Sequence, residues 1–375
     1  MWWRATDAPP APPHTKHHGF DTQLSRYPRS RPPDEDKTMK FLQTLTLAAL
    51  AVIPAQLTAQ CDPGERVTRF SLITALQGHP KGEAAMAFAE QINTQLDGTL
   101  CVEVYGRSEL YNDDDVFDAL LNDDVQFAAP GVTKFGAYSD QFELFNLPFL
   151  FDGPLQVMAF LETETAQSMT DGITDDGFVG LGYWANGMRQ YSATVPMRLP
   201  GDAAGLSFRV SSSSPVTAEV LRRMEITPVK LSFSKVYDAL ASGEVQGQEN
   251  TWANIQKEEF YLEQAAVTET NHNYIGYLVV TSQAFLDSLD PETRQAVVDI
   301  MALTTHERNR FAYEINQARR QDILDDDGVI IRLTPEELAV WRAEMKPVWD
   351  QFRSSIGGDL IDAAVEVNAT VDPFN

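Results

Sequence analysis

Two arginines twenty residues apart carry the clearest chemistry in this chain. Arg189 follows Asn186-Gly187 at the end of the apolar run VGLGYWAN, and Arg209 lies inside LSFRV, ahead of four serines. A guanidinium holds a carboxylate through two parallel hydrogen bonds, so two of them at one cleft suit a dianion. The polar cluster Gln248-Glu249-Asn250 behind the glycine of VQG falls at another expected strand end. Ser211 and Ser212 offer hydroxyls beside Arg209, and Trp184 and Trp252 are candidates to line the same cleft. Lys81, in His79-Pro80-Lys81-Gly82, opens a helix whose amides and dipole favour an anion, although taken alone it reads as a solvated lysine in an ordinary first turn. The chain has no GxSxG, GxxxxGK or HExxH and no cysteine–histidine pair, which argues against an enzyme.

Positioning these groups calls for alternating strands and helices. Strand 67–76, helix 81–96 (stopped by Asp97-Gly98), strand 99–105, helix 113–122 and strand 125–129 follow in order. Further on, the apolar runs LSFRV and ITPVKLS alternate with the helical patterns TAEVLRRM, KVYDAL and WANIQKEEFYLEQ. In open α/β sheets ligands bind beyond the carboxyl ends of the strands, which is where the polar clusters fall. YIGYLVVTS (274–282) reads as a buried strand returning to the first domain, and LPFLF as core. Asp290-Pro291-Glu292 caps a helix that runs to about Asp327, roughly 55 Å at 1.5 Å per residue. Strand VIIRL and the helix TPEELAVWRAEMKPVWDQFRSSIG complete the second domain.

Composition narrows the class. Residues 1–38 are rich in Pro, His and Arg without apolar periodicity, and read as an upstream mis-assigned start. Met39 then opens a secretory signal pattern, 39–59, cut after Ala59. The chain carries a formal charge of −25; its first 59 residues hold seven basic and five acidic side chains, leaving the remainder near −27. So acidic a surface argues against nucleic acid or an anionic membrane as partner, and any anion site must concentrate cations locally. Cys61 and Cys101 are no zinc site. In an oxidising compartment they read as a disulfide, provided the strands they precede are parallel neighbours; two free thiols are the alternative.

The segments FRV, FSKVYDALASGEVQGQEN and TNH (ending at His272) resemble the solute-binding subunits of TRAP (tripartite ATP-independent periplasmic) transporters, the DctP family. The resemblance runs from about Thr68 to Ala364, with Lys235 and Gln246 standing where the family pattern has Glu and Asp. It implies an α/β, two-domain periplasmic binding protein, type II-like, with a ligand cleft between domains and a long helix spanning both. The domains would be 60–186 with about 276–315, and 187–275 with about 316–367, leaving a tail at 368–375. It also implies that Arg209 pairs with a ligand carboxylate, Asn250 orients that carboxylate, Phe233 packs on the ligand's carbon skeleton, and Lys81 faces the ligand. His272 reads as a satisfied structural histidine. Ala129 lies where sialic acid-binding members carry a glutamate, and the run SELYNDDDVFDALLNDDVQFAAP favours the C4-dicarboxylate branch, with succinate, malate or fumarate as ligand. No cofactor or metal is implied. The resemblance implies the small and large membrane permease subunits as partners, and a protein that acts as a periplasmic monomer. Alternatives at this point are a monocarboxylate, keto acid or aromatic acid as ligand, or a ligand sensor docking on a signalling receptor.

Overall fold

The computed structural model describes residues 61–371, so the expected signal segment and the residues before it lie outside the described residues. Among the described residues eleven strands form two mixed sheets. The first contains β1 (Arg66–Ser71), β2 (Leu100–Tyr105), β3 (Phe127–Ala128), β4 (Phe178–Met188) and β10 (Tyr274–Ser282), in the order β2-β1-β3-β10-β4. The second contains β5 (Gln190–Ala193), β6 (Ser207–Val210), β7 (Thr227–Lys230), β8 (Gly247–Asn250), β9 (Ala266–Glu269) and β11 (Ile330–Arg332), in the order β11-β9-β5-β8-β6-β7. Parallel pairs reached through helical crossovers (β1 with β2, β6 with β7) sit beside antiparallel insertions, β10 in the first sheet and β5 in the second.

The chain passes between the sheets three times. β4 runs into β5 through the single residue Arg189, and β9 runs into β10 through Thr270–Asn273. These two crossings lie side by side: the Arg189 amide donates to the Asn273 carbonyl at 2.7 Å, and the His272 amide to the Arg189 carbonyl at 3.3 Å. The third crossing is the helix Pro291–Asp325, started by Asp290, whose carboxylate accepts from the Glu292 and Thr293 amides. At 35 residues it extends about 50 Å. Its first half buries Val297, Ile300 and Met301 in the core of the first sheet, while Ile323 joins the core of the second. Asn316 ties the two sides together, donating to the Asn186 carbonyl at the end of β4 (2.8 Å) and accepting from the Ala253 amide beyond β8 (3.0 Å). Arg320 makes a two-pronged pair with Glu269 of β9 at 2.9 and 3.0 Å.

Several elements are shorter than their apolar patterns predict: β3 keeps only Phe127–Ala128 of 125–129, the helix expected over WANIQKEEFYLEQ stops at Lys257 because Glu259 takes a positive φ of 56°, and two more shorten beside the cleft. β1 ends at Ser71, and the following residues turn over the sheet end, with the Arg107 amide bonded to the Thr74 carbonyl. The helix expected from 113 begins only at Val116, because the Asn112 side chain caps the Asp114 and Asp115 amides (2.8 and 3.0 Å). β8 is the opposite case, an all-polar strand after one glycine. A Cβ on Gly247 would lie 2.3 Å from the Phe208 ring, so glycine is required for β8 to lie against β6. The LPFLF segment is buried core, as its composition suggests.

β1 and β2 are parallel, with Val67 opposite Cys101, and a disulfide joins Cys61 to Cys101. Its sequence separation of 40 residues corresponds to about 4 kcal/mol of lost unfolded-state entropy. Cys101→Ser is expected to lower the unfolding free energy by an amount of that order, measured by denaturant melts with and without reductant. A loss below about 1 kcal/mol would mean that the reduced unfolded chain is already compact there.

Candidate functional site

Between the sheet ends lies a cavity of about 600 Å³, including the part open to solvent. The first-sheet side supplies Thr74, Asp113, Thr133, Lys134 and Tyr277; the second-sheet side supplies Arg209, Ser211, Phe233, Asn250 and Asn254. Arg189 and Glu249 complete the wall at the crossing. Five of the seven ligand-binding residues expected from the sequence therefore meet in one cavity: Arg189, Arg209, Ser211, Phe233 and Asn250.

Arg209 is 5% exposed on β6. Its Nε donates to the Leu231 carbonyl at 3.0 Å, which aims the rest of the fork into the cavity, and its Nη2 has no protein partner among the described residues. Burial lowers its pKa to about 10, so it stays charged at neutral pH. The Arg189 guanidinium pairs through Nη1 with Glu249 and leaves Nε without a partner among the described residues. Glu249 also accepts from His272 Nε2 at 2.6 Å, while His272 Nδ1 lies 2.7 Å from the Thr270 hydroxyl. The His272 ring stacks on Tyr191 at 3.9 Å. Burial, opposed by the Glu249 carboxylate, lowers the His272 pKa, so the neutral ring donates to Glu249 and accepts from Thr270. His272 is thus a satisfied structural histidine, one that holds the partner of a site arginine.

Lys81 differs from a mobile first-turn cation. It is fully buried, its Nζ donating to the Ala129 carbonyl at 3.1 Å and lying 4.0 Å above the Tyr277 ring. Burial, opposed by Asp113, lowers its pKa to about 8. It lines a small second pocket that shares Ile73 and Asp113 with the main cavity. Trp184 is not on the wall: it stacks on Phe70 at 5.5 Å in the first-sheet core and donates to Thr305 at 3.0 Å, because its strand position faces the helices. Trp252 is likewise buried, beneath the Arg320 guanidinium, and Ser212 is not among the lining residues. Phe233 both lines the cavity and packs edge-on against Phe260.

Sequence reasoning missed Lys134, Asn254 and Tyr277, and gave Glu249 no role. Lys134 is 8% exposed, 2.8 Å from Asp114 and 4.0 Å from Asp113. Its only sequence signal was a lone cation just beyond an expected strand end. Asn254 lies in the helix Trp252–Lys257 that follows β8, and its Nδ2 donates to Oδ1 of Asn250 at the strand's end, a contact made by the strand-to-helix turn with no periodic signal in the sequence.

Two mixed sheets joined by three crossings, with a cation-lined cavity between their ends, are the architecture of the extracytoplasmic binding-protein class. Residues 72–355 match the family described as DctP, bacterial extracellular solute-binding protein, family 7. The chain is 39% identical over 329 residues to the C4-dicarboxylate-binding periplasmic protein DctP of Vibrio cholerae, covering 88% of this chain and 99% of that protein. Its counterpart in Rhodobacter capsulatus is 32% identical, with the same coverage of both chains. Among solved structures, a TRAP periplasmic solute-binding protein from Shewanella oneidensis with bound succinate has a TM-score of 0.78 at 38% identity, covering 80% of this chain and 99% of that one. One from Pseudomonas aeruginosa with bound L-malate has a TM-score of 0.74 at 35% identity, covering 76% and 99%. This chain belongs to the DctP family of TRAP solute-binding proteins, as its FRV, FSKVYDAL and TNH segments lead one to expect.

The Glu249 carboxyl gives a test of the crossing. Burial alone would raise its pKa, but the Arg189 guanidinium and the His272 hydrogen bond outweigh burial and hold it near 2, against an ordinary 4.5. A carboxyl depressed on folding stabilises fully above its unfolded pKa and loses that contribution as pH falls through the folded one, here between about pH 5 and 2. The shift is worth on the order of 3 kcal/mol. Glu249→Gln is expected to cost about 3 kcal/mol at pH 7, by leaving Arg189 buried without its counter-charge. In urea melts the gap between the two proteins should close as pH drops from 5 towards 2. A gap that stays constant would show that Glu249 is not the group titrating.

Proposed function

We propose that this protein is the periplasmic solute-binding subunit of a TRAP transporter, that it captures a C4-dicarboxylate such as succinate, malate or fumarate, and that it delivers the ligand as a monomer to the small and large permease subunits. The observation that carries the ligand reading is the convergence of buried cations on one cavity. Arg209 Nη2 and Arg189 Nε have no protein partner among the described residues, and Lys134 faces them from the other wall. One carboxylate takes the Arg209 fork and the Asn250 amide, with Arg189 beside them. The second carboxylate lies towards Lys134, with Lys81 behind, and Phe233 and Tyr277 cover the carbon chain. The C4-dicarboxylate, succinate and L-malate named for the relatives support this reading. The site binds and releases its ligand unchanged; no nucleophile–base pair is assigned to it. A cleaved leader over 39–59 would export the protein, and among the described residues no helix is long and apolar enough to cross a membrane.

Closure between the two halves excludes water and strengthens each ion pair. Titration calorimetry with succinate, L-malate and fumarate is expected to show one site per chain. Arg209→Ala should weaken binding by about 100-fold or more, since it truncates a buried charge-assisted contact. Heat with a monocarboxylate or aromatic acid and none with the C4 acids would keep the class and overturn the ligand.

A further inference from the structure

His79 occupies the turn before the helix Pro80–Gln95 on the first-sheet side, and the ligand scheme above gives it no part. It is 1% exposed. Its Nδ1 accepts the Lys81 backbone N–H at 3.2 Å, which leaves the proton on Nε2. Nε2 lies 2.7 Å from Oδ1 of Asn254, in the helix Trp252–Lys257 beyond β8 on the other side of the cleft. With its oxygen taken by His79, Asn254 donates from Nδ2 to Asn250 Oδ1. Asn250 Oδ1 also accepts the Thr251 amide at 3.2 Å. Asn250 and Asn254 are 1% and 5% exposed. The direction of this chain is fixed from its first link. Turning either amide over would set N–H against N–H or oxygen against oxygen, leaving buried groups unpaired. Only the NH2 of Asn250 remains to face the cavity, and that is the end an anion needs.

We propose that His79 is a positioning residue for ligand capture: through Asn254, across the cleft, it sets the Asn250 amide with its NH2 turned into the cavity when the two halves meet. The role of Asn250 as a ligand donor rests on the function proposed above; the orientation of the relay does not. A neutral His79 is the form that can run it. Burial, then the neighbouring Lys81 and Lys257 charges against the Asn254 hydrogen bond, hold its pKa at about 3. The ring otherwise faces Tyr277, 6.2 Å away between centroids. Without His79 the amides can turn over, and Asn250 can present its carbonyl oxygen to a carboxylate.

Two measurements test this on the chain beginning at residue 60. Long-range 1H–15N spectra at pH 7 should show His79 as the neutral Nε2–H tautomer; an Nδ1–H or charged ring overturns the relay. In calorimetric titrations with succinate, His79→Ala and Asn254→Ala should each weaken binding about tenfold, the scale of one lost buried hydrogen bond with its orphaned partner. His79→Gln, whose amide NH2 reaches the Nε2 position, should recover most of the loss. The His79→Ala/Asn250→Ala pair should bind within about twofold of Asn250→Ala alone, because residues acting through one another are not additive. Additive losses, or undiminished affinity in His79→Ala, overturn the proposal. If His79→Ala does not fold, the Asn254→Ala/Asn250→Ala pair makes the same comparison. A wild-type protein silent to every C4 acid counts against the ligand reading alone, since the tautomer still decides the relay.

Discussion

The buried pair of Arg189 with Glu249 is the interaction on which the rest of this structure depends. Arg189 is the whole of one crossing between the sheets, its backbone bonded to the other strand crossing and its side chain anchored to β8. A buried ion pair is a poor source of net stability, because desolvating both charges offsets most of their attraction. What this pair supplies is position. The same residue fixes where the two halves join and turns a guanidinium edge towards the cavity. His272 and Thr270 complete the chain of hydrogen bonds, so that the second crossing holds the counter-ion of the first.

The charge distribution resolves an apparent contradiction. A chain of net charge −25 repels anions at long range. At the cavity the order reverses: Arg189, Arg209 and Lys134 line the wall, and Lys81 lies just behind it. Acidic partners keep these cations buried at tolerable cost, Glu249 for Arg189, and Asp113 and Asp114 for Lys134. Asp114 also reaches Lys230 of β7 at 3.7 Å, and Arg107 pairs with Glu258 at 3.3 Å. These pairs, exposed at Asp114, Lys230 and Arg107 and half-buried at Glu258, join opposite sides of the cleft. Each is worth little singly in solution.

Much of the architecture was legible because its signals are local. Strand period, the Asp290-Pro291 cap and the spacing of Cys61 and Cys101 each act over a few residues or one crossover. The site was legible where strand ends carried unusual residue types, as at Arg189 and Arg209. It was illegible where tertiary context decides. Trp184 has the same composition signal as a cleft aromatic, yet the face of β4 on which it falls is set by the long helix. Lys81 has the sequence of a solvated first-turn lysine, and becomes a buried cation only because Ala129, Asp113 and Tyr277 close over it. Lys134 sits in a 3-10 turn, Val132–Ala137, that has no periodic pattern to find. Glu249 reads as a polar strand residue until its partners arrive from 60 residues before and 23 residues after it.

The place of β10 in the first sheet governs the order in which the molecule can be completed. β10 lies between β3 and β4, antiparallel to both, yet it is made after every strand of the second sheet except β11. A nascent chain that has reached Glu269 has therefore emitted all of β4 and β3 with the edges that should receive β10 still open. Unpaired edges of this kind are where chains associate wrongly, and closing a pairing over so long an intervening segment is slow. The first sheet is thus completed only by a strand that returns from the second. The crossing that couples the two sheets in the finished protein also makes the first wait for the second while the protein is assembled.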